Sequence, residues 1–228
     1  MSLFQVTPDA YLFDMDGLLL DTERMFCKAF VELTAELGIE NRAASSFFAT
    51  LVGTSSKVTT ARLSDFLPTG TDIVDFDVRW RTLHSDNVQK GVPVKPYVYD
   101  VLQAIEAKGV PMAVVTSSSA KAASHHLDHA GLLPFFETVC AGDEVSKNKP
   151  DPEPYLTGAA RLGVSASRCV AFEDSDLGTT AAVRAGCKTV QVPDLRPVGT
   201  PLPDLGQIVA DSLGHAAVQI GLFDGPLT

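Results

Sequence analysis

The sequence predicts an α/β protein: a Rossmann-like, mostly parallel sheet covered by helices on both faces, with an α-helical domain inserted after the first strand. Three observations carry this. Short apolar runs alternate with helical patterns through the second half of the chain, which is the signature of βαβ units. Residues 22 to about 90 read as helix, with no β-branched run of strand length. Acidic, hydroxyl and lysine side chains follow directly after several of the strand-like runs. With 228 residues the chain holds one large core, or one core plus a small insert.

The first strand, 11–13, opens the stretch "YLFDMDGLLLDTE" at residues 11–23, where Asp14 and Asp16 stand one residue apart. Aspartate is disfavoured within strands, and a buried carboxylate is costly unless paired or bound to metal. Two readings compete: a hairpin with Asp16-Gly17 at its tip, or a strand that ends by presenting acids to a reaction. Only three apolar residues follow the Asp-Gly step before Asp21-Thr22-Glu23 opens a helix, which is short for a return strand. Helices are expected from Thr22 to Leu37 ending at Gly38, from Ser55 to Phe66, and from Asp75 to Gln89. The core resumes near "GVPVKPYVYDVLQAI" at 91. Residues 1–20 and 92–228 are therefore expected to form the α/β core and 21–91 the helical insert, with candidate hinges near 20 and 92.

Further strands are expected at 111–116, 136–140, 169–172, 189–192 and 207–210. Between them lie a helix from Ser119 to Ala130 with Ser119 as N-cap, one capped by Asp151 with Pro152 in its first turn, and one over 177–185 stopped by Gly186. The tail from Pro193 should add an edge strand and a final helix.

A net charge of −10 disfavours nucleic acid and anionic membrane as partners. It permits a small phosphorylated substrate wherever the site is locally positive. No run of 18 apolar residues predicts a membrane span, and no basic segment precedes an apolar one at the N-terminus, so no secretory signal is expected. Cys27, Cys140, Cys169 and Cys187 lack the spacing of a zinc site or a disulfide framework, which suits a reducing cytoplasm. His125 and His129 have the i, i+4 spacing of a metal pair but no third ligand, and read as surface residues. No pattern assigns an oligomeric state.

In a parallel α/β sheet, ligands bind at the carboxyl ends of the strands. Those ends carry Asp14 and Asp16; Thr116, Ser117, Ser118 and Ser119; Lys149, with Lys147 as its rival; and Glu173 with Asp174. Each group alone has an ordinary reading as turn, helix cap or solvated loop. Together they solve one problem, phosphoryl transfer. Clustered carboxylates are hard oxygen ligands suited to magnesium, and lysine and hydroxyls can hold the remaining phosphate oxygens. One aspartate can attack phosphorus, and an acid two residues on can move the protons.

"FDMDGLLLDTE", "VVTSSS", "NKPDPEPY" and "FEDSDLG" together resemble the haloacid dehalogenase superfamily, and within it the β-phosphoglucomutase-like and sugar-phosphate phosphatase group with a helical cap. The resemblance implies Asp14 as nucleophile and magnesium ligand, and Asp16 as general acid/base ligating through its backbone carbonyl. It implies Thr116, the Ser117 backbone and Lys149 as phosphoryl binders, and Asp174 as second metal carboxylate, with Glu173 ligating directly or through water. Dehalogenation is disfavoured, since the dehalogenases need neither the second aspartate nor a metal. The related mutases grip a second phosphate with a cap histidine and arginine, and here Phe26 and Ser56, beside Lys57, stand at those positions. A phosphatase is therefore expected over a mutase. A phospho-acceptor domain of the response-regulator type gathers similar residues, but it is shorter and lacks the insert.

Overall fold

The computed structural model describes residues 7–52, 56–196, 199–225 and 227, without the side chains of Ser56 and Lys57. In chain order the elements are β1 (Ala10–Phe13), α1 (Thr22–Glu36), α2 (Asn41–Leu51), α3 (Ser56–Phe66), α4 (Ile73–Gln89), α5 (Val98–Glu106), β2 (Met112–Val115), α6 (Ala120–His129), β3 (Thr138–Cys140), α7 (Glu153–Arg161), β4 (Cys169–Glu173), α8 (Asp176–Arg184), β5 (Lys188–Gln191), β6 (Ile208–Val209) and α9 (Leu213–Gln219).

All strand pairs are parallel, in the order β3-β2-β1-β4-β5-β6. β1 lies inside the sheet, with Phe13 opposite Val114 on one side and Phe172 on the other. Every residue of β1, β2 and β4 is buried, as expected where helices cover both faces of a parallel sheet. The crossovers place the carboxyl ends of β1, β2 and β4 side by side, and this is what assembles the site.

The chain divides into two compact units: the sheet unit of Met1–Asp21, Pro93–Asp194 and Leu202–Thr228, and a helical unit of Thr22–Val92 and Leu195–Pro201. The helical unit has its own apolar core, in which Phe30, Phe48, Phe76 and Trp80 are buried. Phe47 stacks on Phe66 with centroids 3.8 Å apart. In the sheet unit, small residues of α7 and α8, among them Ala159, Ala181 and Ala182, pack with Leu12, Val115, Cys140 and Ala171 and let the helices approach the sheet closely.

Several elements differ from the sequence reading. α2 has no counterpart among the expected helices, and its Ala44, Phe48 and Leu51 bury one face at i, i+4, i+7 spacing. α5 follows Pro93 and Pro96 and begins after Tyr97, which takes a left-handed conformation at φ 67°. α7 starts at Glu153 rather than at Pro152, and Asp151 accepts from the Glu153 N–H at 3.0 Å as a turn residue instead of an N-cap. The expected start of α3 at Ser55 lies outside the described residues.

Candidate active site

Asp14 follows directly on β1, and its N–H bonds the Phe172 carbonyl of β4 at 3.0 Å, so the sheet ladder continues into the carboxylate. Its side chain is buried and receives Lys149 Nζ on Oδ1 at 2.5 Å. The same ammonium donates to the Val115 carbonyl at 2.9 Å and to Glu173 Oε1 at 2.6 Å, so three acceptors surround its three protons. The Lys149–Pro150 peptide is cis. Lys149 is only 6% exposed, whereas the side chain of the rival Lys147 is 72% exposed.

Glu173 ends β4 fully buried. Besides Lys149, its Oε1 accepts the Tyr155 hydroxyl at 2.7 Å, and its Oε2 accepts the Ser175 N–H at 3.3 Å and Oγ at 3.1 Å. Ser175 in turn caps α8 by accepting from the Gly178 N–H at 3.0 Å. Single carboxylate oxygens of Asp14, Glu173 and Asp174 lie within 4.8 Å of one another, the one such cluster of potential metal ligands among the described residues.

Asp16 takes the other side. Its Oδ2 accepts the Ser118 hydroxyl at 2.7 Å and the Thr116 hydroxyl at 3.3 Å, and Thr116 Oγ1 also accepts the Ser118 N–H at 3.0 Å. Asp16-Gly17 is not the tip of a two-stranded hairpin. Residues 15–20 form a tight loop in which the Leu19 and Leu20 N–H groups both bond the Met15 carbonyl, and Leu20 makes an antiparallel bridge to Val94. Gly17 is required there: its φ is +89°, and a Cβ would stand 2.3 Å from Asp174 Oδ2. Ser117 is exposed at the end of β2. The loop after β3 approaches it so closely that a Cβ on Gly142 would lie 2.3 Å from the Ser117 carbonyl oxygen.

The structure therefore brings Asp14, Asp16, Thr116, Lys149, Glu173 and Asp174 to one sheet edge, with Ser117 at its rim. Sequence reasoning left Ser118 unassigned within its hydroxyl run and missed Tyr155 and Ser175. Tyr155 sits in "NKPDPEPY", where an aromatic residue in a first helical turn reads as core. At the helix beginning near residue 177, Ser175 and not Glu173 or Asp174 is the cap.

Electrostatics follow from burial. Desolvation pushes the Asp14 carboxyl well above the usual carboxylate range, opposed by Lys149 and reinforced by Glu173 and Asp16. Burial acts to lower the Lys149 ammonium, but Asp14 and Glu173 outweigh it and hold it above its ordinary value. Four carboxylates thus meet one ammonium. Excess negative charge in buried oxygen ligands is the condition that a divalent cation relieves, and Asp14 and Asp174 are placed to hold one. The thiols have no such setting: burial pushes Cys169 up to about 11 and Cys187 up to about 12, so both stay protonated and inert. The rings of His125 and His129 lie 6.2 Å apart on α6 without a third ligand among the described residues.

Residues 11–192 match the family model of haloacid dehalogenase-like hydrolases. The chain is 32% identical over 189 residues to the fructose-1-phosphate phosphatase YqaB of Escherichia coli (strain K12), covering 79% of this chain and 94% of that protein. It is 28% identical over 182 residues to a phosphorylated carbohydrates phosphatase of Thermotoga maritima, covering 80% of this chain and 83% of the relative. Among solved structures, a haloacid dehalogenase family hydrolase from Deinococcus radiodurans R1 with bound phosphate and sodium matches at a TM-score of 0.76 and 29% identity, over 97% of this chain and 99% of that one. The strand-end acids, the lysine between them and these likenesses agree: the chain belongs to the haloacid dehalogenase-like hydrolases.

Proposed function

We propose that this protein is a magnesium-dependent phosphatase that hydrolyses a small phosphorylated metabolite, a sugar or sugar-acid phosphate, through an aspartyl-phosphate on Asp14. The observation that carries the reading is the meeting of Asp14, Asp16, Lys149 and Asp174 from separate strand ends and loops. The relatives named for fructose 1-phosphate and phosphorylated carbohydrates support the substrate class, and the phosphate bound in the Deinococcus structure supports a phosphate-binding protein of this fold.

In this reading an Asp14 carboxylate oxygen attacks phosphorus, and the bond from phosphorus to the ester oxygen breaks. Asp16 gives its proton to the departing alkoxide, leaving the free alcohol. Water then attacks the aspartyl-phosphate while Asp16 takes its proton, which releases inorganic phosphate and restores Asp14. Thr116, the Ser117 backbone and Lys149 hold the phosphoryl oxygens. Asp14, Asp174 and the Asp16 carbonyl, with Glu173 directly or through water, would hold magnesium, which would supply the positive charge that lets a phosphate dianion approach the carboxylates. We assign residues 21–91 the part of a cap that selects the substrate and excludes bulk water. Reduced cysteines fit an enzyme of the cytoplasm, and no helix among the described residues is long and apolar enough to cross a membrane.

Transfer to water is favoured over mutase chemistry by Phe26. It lies stacked on Trp80 at 4.0 Å and edge-on to Phe48 at 5.8 Å, with the His84 ring at 4.7 Å and the Arg81 guanidinium at 6.0 Å, and its own ring offers a second phosphate neither charge nor hydrogen bond. The side chains of Ser56 and Lys57, which bear on the same choice, lie outside the described residues.

The test is phosphate release with magnesium from a panel of sugar phosphates, sugar-acid phosphates, nucleotides and phosphoglycolate, with each sugar phosphate also assayed for isomerised product. Multiple turnover on a sugar phosphate supports the reading. Isomerisation without phosphate release points to the mutase, a long-lived phospho-aspartate without turnover points to a phospho-acceptor, and inertness across the panel rejects the proposal.

A further inference from the structure

Lys149 has three protons and three acceptors, yet the proposed phosphatase needs it to face a phosphoryl group. Something must keep the ammonium in place while its contact with Asp14 gives way to a phosphate oxygen. The Val115 carbonyl is one fixed point, since it belongs to the backbone of β2. Glu173 is the other, and its carboxylate is itself fixed. Its Oε2 is tied to Ser175 at the head of α8. Its Oε1 lies 2.7 Å from the Tyr155 oxygen and 2.6 Å from Lys149 Nζ, so one oxygen receives both donors. Tyr155 is fully buried, and its ring also lies 5.3 Å from Lys149 Nζ, within cation–π range. α8 makes room for this carboxylate only because residue 178 is glycine: a Cβ there would fall 1.8 Å from Glu173 Oε1.

We infer that Tyr155 is a positioning residue for phosphoryl binding: its hydroxyl, acting through Glu173, fixes Lys149 at the edge where the phosphate must bind. The hydroxyl also fills a lone-pair site on Glu173 Oε1. This leaves that carboxylate committed to Lys149, Tyr155 and Ser175, so that its share in holding a cation passes through water. The inference rests on the proposed phosphatase reading and deepens it.

Tyr155→Phe keeps the buried ring and removes one oxygen, so the packing of α7 on the sheet is preserved. The experiment is titration with inorganic phosphate at saturating magnesium on the full-length protein, with magnesium affinity measured separately, for the wild type, Y155F, E173Q and the double variant. Loss of one positioned hydrogen bond to a charged group should weaken phosphate binding by about three- to tenfold in Y155F, with magnesium affinity unchanged. In the E173Q background the same change should add little, because the carboxylate charge through which Tyr155 acts on Lys149 is already lost. Phosphate affinity unchanged in Y155F, or an equal loss in both backgrounds, overturns the inference. Should Y155F be too unstable to titrate, E173Q alone is read: it should lose at least as much phosphate affinity, and unchanged affinity overturns the inference too. A wild type that binds phosphate while Y155F binds it equally well sinks the inference alone. A wild type that neither binds phosphate nor hydrolyses the panel sinks the proposed function, and the inference with it.

Discussion

Asp14 and Asp16 show how differently two aspartates can be used within three residues. Asp14 is buried against an ammonium, whereas Asp16 is held by the Thr116 and Ser118 hydroxyls. The Asp14 carboxyl is raised by desolvation, so the cation-free fold binds that proton more tightly than the unfolded chain does. Stability of the cation-free protein should therefore fall as pH rises from the ordinary carboxylate range through the raised folded value. A divalent cation competes with that proton. Magnesium should accordingly raise the melting temperature more near neutral pH than at about pH 5, where protonation already relieves the crowding. Thermal melts with magnesium and with chelator at both pH values check this; a shift that is larger at the acid value would contradict it. At this scale the acids, Lys149 and the hydroxyl run were legible, because aspartate and glutamate at strand ends conflict with ordinary strand composition. Tyr155 was not, because a tyrosine packed beside Leu12 and Val115 looks like any core aromatic until its oxygen is located.

Glycines and caps decide whether the elements deliver those residues. α8 begins with Ser175 accepting from Gly178, and Gly178 leaves the space that Glu173 fills. Gly178→Ala should therefore displace Glu173 and destabilise the protein by about 1–3 kcal/mol, the usual cost of overpacking a filled core. Denaturant titration measures it, and a loss below experimental error would show that Glu173 has room to move. The α/β alternation was legible from apolar runs and Gly stops: Ser119 caps α6, and Gly186 follows α8 at φ 89°. The starts of α5 and α7 were not, because prolines 93, 96 and 152 read as breakers or first-turn residues while the backbone around them turned on Tyr97 and Asp151.

At the scale of the molecule, the chain leaves the sheet unit after Asp21 and again after Asp194, and it returns at Pro93. Lys95 lies beside these passages, 2.7 Å from Asp194 Oδ1 and 3.6 Å from Asp21 Oδ1. Its N–H bonds the Leu19 carbonyl at 2.9 Å, which joins the loop that carries Gly17 to the start of the returning segment. Lys95→Met should take an ammonium away from both carboxylates and destabilise the sheet unit by about 1–3 kcal/mol. The effect should weaken in high salt, and an unchanged melting temperature in low salt would contradict it. The helices α1, α3 and α4 were legible from a stretch without strands. The excursion of Leu195–Pro201 into the helical unit was not, because Leu195 is one apolar residue among prolines, and only the packed structure shows it against that unit's core.

The account turns on Asp14 carrying the phosphoryl group. Wild-type protein mixed with magnesium and its best phosphomonoester, quenched in acid before the first turnover is complete, should yield the peptide containing Asp14 heavier by one phosphoryl group, and Asp14→Asn should lose both this adduct and at least about 10⁴-fold of the turnover. Turnover that survives in Asp14→Asn, or a phosphoryl group found on another residue, would contradict it.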